Sequence, residues 1–275
     1  MEIGHLNTMP VWIIDDPWVL LGDRHHHALL PAHELPAGTQ PGDRLRVFVY
    51  RTGPDQVLAT LKRPAGVLGE LVPLAVVDAN DHGVFFAWGL DKDLFCPWKM
   101  QYERLRPGDR AVVHISLDPH TGRLIGSTKL VDVLDDRTSG LWAGQEVSLM
   151  PYGVNEVGVL VLVDRRFAGI VYRDELSGTP PMGVERRGYV ARVRDDGKLD
   201  CTLRPVGRQG QLHAADVILE ALRESDGFLP LTDKSTPEAI HRRLGLTKKA
   251  FKKGLGTLYR DRRVALHDDG VKLVS

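Results

Sequence analysis

Short stretches in which apolar and polar residues alternate, closed off by proline, glycine and aspartate, fill most of the chain. A period of two predicts half-buried β-strands. In the first part such stretches fall at residues 11–14, 18–21, 44–50 and 57–61. The plan returns at 72–77, 84–88, 110–117 and 124–130, and again at 146–151, 158–163, 188–193 and 199–203. From Leu212 the period changes: Leu212, Ala215, Ile218, Leu219 and Leu222 recur at helical spacing, with charge on the other face. Thr236-Pro237-Glu238 predicts a helix start, with Thr236 as N-cap and proline in the first turn, leading to Ala239, Ile240 and Leu244. Gly245 ends that helix, and Thr247 caps a third one carrying Phe251, Leu255 and Leu258 on one stripe. A hairpin over 264–266 and 271–274 turns at Asp268-Asp269-Gly270. Three helices followed by a hairpin predict a winged helix-turn-helix.

The strand-rich part repeats itself. Pro41-Gly42-Asp43-Arg44 recurs as Pro107-Gly108-Asp109-Arg110 at an offset of 66, with Pro31 and Pro97 ten residues upstream. Val47 and Val49 then match Val113 and Ile115. A weaker third copy sets residues 28–35 against 169–176 at an offset of 141, and Gly42 against Gly183. Sheets this short leave exposed edges unless they close, so each module is expected to be a small barrel. The expected fold is mainly β with a small α+β C-terminal domain: barrels at 1–64, 65–134 and 135–207, and the winged helix at 208–275.

Composition narrows the function. With 275 residues, 43% hydrophobic and 26% charged, wholesale disorder is excluded. There is no run of 18 apolar residues, and Glu2 stands near the start, so neither a spanning helix nor a signal peptide is expected. Two cysteines, Cys96 and Cys201, fit a reducing compartment, and the expected location is cytoplasmic. The 36 basic and 36 acidic residues balance overall but not locally. Residues 1–134 carry 13 basic against 16 acidic (net −3), 135–207 carry 10 against 11 (−1), and 208–275 carry 13 against 9 (+4). Bulk charge therefore cannot hold a polyanion, but a local patch near the C-terminus can.

That patch has a pattern. Lys248, Lys249, Lys252 and Lys253 fall along one side of the third helix, opposite Phe251, Leu255 and Leu258, and Arg260, Arg262 and Arg263 extend the positive zone. Such a helix either contacts duplex DNA, structured RNA or an acidic protein, or is a solvated surface. In the barrels, aromatic rings stack unpaired bases without choosing a sequence, and cations follow the phosphates. Phe85, Trp88, Trp98 and Tyr172 are the candidate rings, while Arg165, Arg166, Arg173 and Arg192, with Arg186 and Arg187, are the candidate cations. Each has an alternative reading: rings as core or inter-barrel packing, arginines as a solvated surface balanced by neighbouring acids.

Several of these segments resemble a known family. Gly69 to Lys129, with Gly83-Val84-Phe85-Phe86, Pro107-Gly108-Asp109 and the closing Gly122-Arg123-Leu124-Ile125-Gly126, resembles an S1 domain of the OB-fold class. Trp88-Gly89-Leu90-Asp91-Lys92-Asp93-Leu94, Gly169-Ile170-Val171-Tyr172, Arg194-Asp195-Asp196-Gly197-Lys198-Leu199-Asp200 and Lys248-Lys249-Ala250-Phe251-Lys252-Lys253 resemble the conserved virulence factor B family, the S1-like RNA-binding YitL family. The resemblance implies tandem S1-like OB-fold barrels followed by a winged helix, with RNA binding, a regulatory role and no catalysis. The rings and arginines themselves point to single-stranded RNA as partner, the basic third helix leaves DNA or structured RNA as options at the winged helix, and no membrane or cofactor is expected. Aromatic residues are common on the strands of S1 domains that face nucleic acid. At the position of Phe85 the first module has Val19, beside Trp18, and the third has Leu160; Tyr172 and Pro31 stand where S1 domains often carry a histidine.

Two rival classes are set against RNA binding. A scaffold would use the barrels and winged helix to dock proteins. A metal-dependent nuclease would use the Asp15-Asp16, Asp135-Asp136 and Asp195-Asp196 pairs or the His25-His26-His27 run with Asp23 and His33. The aspartate pairs fall at expected turns, where aspartate caps the chain, and the histidines read as an exposed turn. Nucleotide-loop, zinc-protease and hydrolase motifs are absent from the sequence.

Overall fold

In the computed structural model the alternating stretches are strands, and each module has one more strand than the pattern predicts. The structure describes all residues except 54–55, 136–139, 177, 206 and 275, and it describes no side chains for 207–211. The first barrel comprises β1 (Leu6–Asp15), β2 (Trp18–Gly22), β3 (His27–Pro31), β4 (Arg44–Arg51) and β5 (Val57–Thr60), closed in the order β1-β2-β3-β5-β4. Closure comes from parallel pairing of β3 with β5, Leu29 opposite Leu58. Alternation sends Val19, Leu21, Leu30, Val47 and Val49 inward, all essentially fully buried.

The second module holds β6 (Leu71–Ala79), β7 (Gly83–Ala87), β8 (Leu94–Pro97), β9 (Arg110–Leu117) and β10 (Leu124–Ser127), a five-stranded sheet in the order β10-β9-β6-β7-β8. It is nearly closed rather than laddered shut. The seam between β8 and β10 is tied just beyond β8, where the Ser127 hydroxyl and the Thr128 N–H both donate to the Met100 carbonyl, at 3.1 and 2.9 Å. The third module, β11 (Glu146–Val154), β12 (Gly158–Val163), β13 (Phe167–Tyr172), β14 (Arg186–Val193) and β15 (Leu199–Thr202), closes as β11-β12-β13-β15-β14.

The strands missing from the sequence reading are β3, β8 and β13. Each has only four to six residues and ends at Pro31, Pro97 or Tyr172, and each runs straight into a one-turn 3₁₀ helix. β3 and β8 are that short and end in proline, so they show too few repeats of a two-residue period to be recognised, whereas β13 is a nearly all-apolar run with no alternation to read. The extra strand also corrects the alignment of the first two barrels. Trp18 lies opposite Pro31 and Gly83 opposite Pro97, so the counterpart of Phe85 is Leu20, opposite Leu29, and not Val19. The cause is loop length: six residues separate the paired Leu21 and Ala28, and seven the paired Phe86 and Leu94. A one-residue slip moves a side chain to the other face, and Val19 is accordingly core.

The described residues form two compact units: Met1–Asp135 with Met150–Ala168 and Gly178–Glu185, and the remainder. Within the first unit the cores of the first two barrels are joined. Phe48 on β4 is fully buried in the cluster of Val84, Phe86, Leu94 and Ile115, and meets Trp88 edge-on at 5.9 Å between centroids. A smaller cluster packs Val112 and Leu130 against Met150 and Leu162.

The second unit ends in the winged helix. It contains α1 (Gly207–Glu224), β16 (Phe228–Leu229), α2 (Pro237–Leu244), α3 (Lys248–Arg260), β17 (Val264–His267) and β18 (Gly270–Leu273), the strands ordered β16-β18-β17. Thr236 and Thr247 cap α2 and α3 through bonds from the Ala239 and Ala250 N–H groups, and Gly245 takes the left-handed conformation between the helices. Ile218, Leu222, Ile240, Phe251, Leu255 and Leu258 make the core. A Cβ on Gly254 would lie 2.9 Å from Ala214, so glycine there permits the close crossing of α1 and α3.

Candidate nucleic-acid interface

Outward positions on β7 and β8 give the second barrel a surface of rings. Phe85 and Phe95 stand opposite each other across the two strands, half-buried, with ring centroids 5.2 Å apart and planes tilted by 41°. Trp98 opens the 3₁₀ turn after β8, and its indole N–H donates to the Asp81 carbonyl at 3.0 Å. The exposed Arg104 lays its guanidinium 4.4 Å from the centre of the Trp98 ring, a cation–π contact. The half-buried Phe85 and Phe95 rings keep part of their surface accessible to unpaired bases, whereas Trp98 packs against the barrel core with Arg104 over its ring. Phe95 and Arg104 were missed from sequence, Phe95 because its strand was not recognised.

Trp88 does not belong to this surface. It is only 4% exposed, its indole N–H donates to the Lys92 carbonyl at 2.8 Å, and its ring fills the contact with Phe48. Packing has taken the ring that the sequence reading held open for bases.

The third barrel carries less. An Asx turn superposes it on the second: Asn80 Oδ1 accepts from the His82 and Gly83 N–H groups, and Asn155 Oδ1 from those of Val157 and Gly158. Gly158 thus matches Gly83, and Leu160 takes the place of Phe85. Tyr172, half-buried at the end of β13, donates its hydroxyl to Asp200 Oδ1 at 3.0 Å, and that bond holds its pKa above the usual tyrosine value. Arg194 lies 3.9 Å from the same carboxylate, and Arg192 is exposed nearby.

Arg165 and Arg166 form the β12–β13 turn, where Asp164 and Arg165 both adopt left-handed conformations, φ 49° and 56°. Arg165 pairs with Glu185 at 2.5 Å, and Arg166 with Asp135 at 2.8 and 3.1 Å. Arg173 opens the 3₁₀ turn after β13 and is exposed. Of the expected arginine set, Arg165 and Arg166 are thus paired with acids. A cavity of about 500 Å³ beside the β12–β13 turn includes Glu70, His114 and Asp135 with the two arginines, so its charge is mixed. Arg187 is paired with Glu146.

On α3, Lys249, Lys252 and Lys253 are exposed and Lys248 half-buried, with Lys252 3.9 Å from Asp233. Arg260, Arg262 and Arg263 are exposed beyond them. His25 and His26 lie in a bend, where their N–H groups donate to Asp23 Oδ1 and lower the Asp23 pKa, and His27 opens β3. Among the described residues no three histidine, cysteine or acidic side chains gather in a group that could hold a metal ion. Asp15 ends β1 with Asp16 in the following turn, Asp195-Asp196 turn between β14 and β15, and Asp136 lies outside the described residues. No helix of the described residues is long and apolar enough to cross a membrane.

The architecture defines a class: tandem S1-type β-barrels ending in a winged helix. Residues 3–62 match the S1 domain model, and 216–273 the CvfB-like winged helix domain model. The S1 match falls on the first of the three expected S1-like barrels. The chain is 28% identical over 273 residues to the uncharacterized protein YitL of Bacillus subtilis, covering 96% of this chain and 91% of the relative. It is 23% identical over 239 residues to conserved virulence factor B of Staphylococcus aureus, covering 84% and 80%. A solved multidomain protein with nucleic acid binding domains from Streptococcus pneumoniae is 21% identical, aligned over 99% of this chain and 98% of that one, with a TM-score of 0.49. The chain thus carries an S1 domain and a CvfB-like winged helix domain, and over most of its length it is similar to YitL and conserved virulence factor B.

Proposed function

We propose that the protein is a non-catalytic RNA-binding protein with a regulatory role in gene expression, taking single-stranded RNA on its barrels and using the winged helix as a second, basic contact. The four modules of this reading are 1–64, 65–134, 135–207 and 208–275. The observation that carries it is the half-buried Phe85–Phe95 pair on outward positions of an S1-type barrel, with the exposed Arg104 stacked on Trp98 of the same barrel as the neighbouring cation. No base-edge reader accompanies the rings, so sequence preference is weak. Tyr172, Arg173 and Arg192 give the third barrel a supporting role, and joining weak sites on one strand multiplies their affinities through effective concentration.

The test is a fluorescence-anisotropy titration of the full chain with a short single-stranded RNA at several salt concentrations. Binding weakens as salt rises, with a slope of about −0.7 per phosphate contacted. Phe85→Leu with Phe95→Leu installs the residues that the first barrel carries at the same positions, Leu20 and Leu29. It weakens binding by about tenfold or more while the fold persists. If RNA fails to bind at low salt, the barrels serve as a protein-docking scaffold. If labelled RNA is cut in the presence of Mg²⁺ or Mn²⁺, the protein is a nuclease.

A further inference from the structure

The third helix breaks local rules twice, and both departures favour a ligand. Gly256 is exposed on α3, and apart from its chain neighbours and the helix's own backbone no atom lies within 4 Å of the position its Cβ would take. Nothing in the fold therefore requires glycine there, in contrast to Gly254 two residues earlier, which packs on Ala214. Mid-helix glycine costs stability relative to alanine because its backbone has more freedom to lose. At about 100° per residue, Gly256 projects between Lys252 and Lys253 and beside Lys249 and Arg260, at the centre of the cationic face. Tyr259, 58% exposed, borders the gap.

At the end of the helix the reverse occurs. Arg262 sits at φ 55°, the left-handed position after the C-cap where glycine is favoured, and the Arg262 and Arg263 N–H groups bond back to the Tyr259 and Leu258 carbonyls. Glycine stands where a side chain would stabilise the helix, and a cation stands where glycine would relieve strain. Consistency between local preference and fold is the norm, and its breach marks functional sites.

We propose that Gly256 is a notch in the basic face of α3 that seats a backbone phosphate of a nucleic acid directly against the helix, with Lys252, Lys253 and Tyr259 as walls and Arg262 holding the next phosphate. The notch rests on the reading of α3 as a nucleic-acid contact. A methyl group at its floor keeps the phosphate away from the helix and its cations.

The experiment uses the full chain with three variants: Gly256→Ala, Arg262→Gly, and Lys249→Ala/Lys252→Ala/Lys253→Ala as the control for the underlying reading. Gly256→Ala raises the thermal midpoint by about 2–4 °C. It nevertheless weakens binding to a hairpin RNA by about tenfold, the loss of one charge-assisted contact. Although it removes no charge, it lowers the salt slope by about 0.7–0.9 for the phosphate displaced. Arg262→Gly likewise raises stability and lowers affinity. A duplex DNA of equal length, run in parallel, identifies which polymer supplies the phosphate. Wild-type affinity and slope in Gly256→Ala, with binding lost in the triple-lysine variant, overturn the notch and leave the basic helix standing. Undiminished binding to both polymers in the triple-lysine variant overturns the reading of the helix and the notch with it.

Discussion

The second and third barrels share a strand plan, down to the Asx turns at Asn80 and Asn155, yet they face solvent with different chemistry. Where the second presents Phe85 against Phe95, the third presents Leu160. Where the second has Arg104 stacked on Trp98, the third has Arg165 and Arg166 paired with Glu185 and Asp135. The inward positions stay apolar in both because a barrel of five short strands has no core to spare. The outward ones are under no such constraint, so equal folds carry unequal binding surfaces.

The largest expected effect tests the boundary between packing and binding. Trp88→Ala removes a buried ring from the contact with Phe48 and costs about 3–5 kcal/mol of stability, measured by urea unfolding. At a temperature where the variant stays folded, its RNA affinity equals that of the wild type. A drop in affinity without a loss of stability would return Trp88 to the binding face. A smaller effect comes from making the third barrel like the second: Leu160→Phe places a ring at the matching outward position and tightens single-stranded RNA binding by about twofold to tenfold. Smaller again is Arg165→Gln with Arg166→Gln, which leaves the salt slope unchanged. Those exposed ion pairs are each worth about 0–1 kcal/mol and leave little charge for a phosphate. Arg104→Gln, by comparison, lowers the slope by about 0.7.

These contrasts also mark what the amino-acid pattern reveals. The strands with long alternating runs, the 66-residue repeat and the capped helices α2 and α3 were legible, because period, turn residues and caps are local properties. The third strand of each barrel was not, since β8 has four residues and ends in proline. With it went Phe95 and the true counterpart of Phe85. Among the candidate rings, Phe85 and Trp98 keep accessible surface, whereas Trp88 is claimed by Phe48 of another barrel, a contact that no local pattern announces. The pairing of Arg165 and Arg166 with Glu185 and Asp135 likewise joins residues 20 and 31 positions apart.

The smallest effect lies at Tyr172, where many S1 domains carry histidine. The Tyr172 hydroxyl donates to Asp200, and ionising it would set two negative oxygens against each other, so its folded pKa lies above the ordinary value of 10.0. A group whose pKa is raised on folding stabilises the fold fully below the unfolded value, and the gain disappears as pH rises through the folded one. Between about pH 6 and 9 the contact is therefore constant, and the difference in urea midpoint between wild type and Tyr172→Phe stays flat. Tyr172→His changes that. Beside Asp200 an imidazole gains from being protonated, so its folded pKa rises above about 6.5 and its contribution is present at pH 5 to 6 but fades through pH 7 to 8. A slope in the midpoint of Tyr172→His over that range, absent from the wild type, is the expected result. A flat profile would mean that Asp200 is held by Arg194, 3.9 Å away, rather than by the residue at 172.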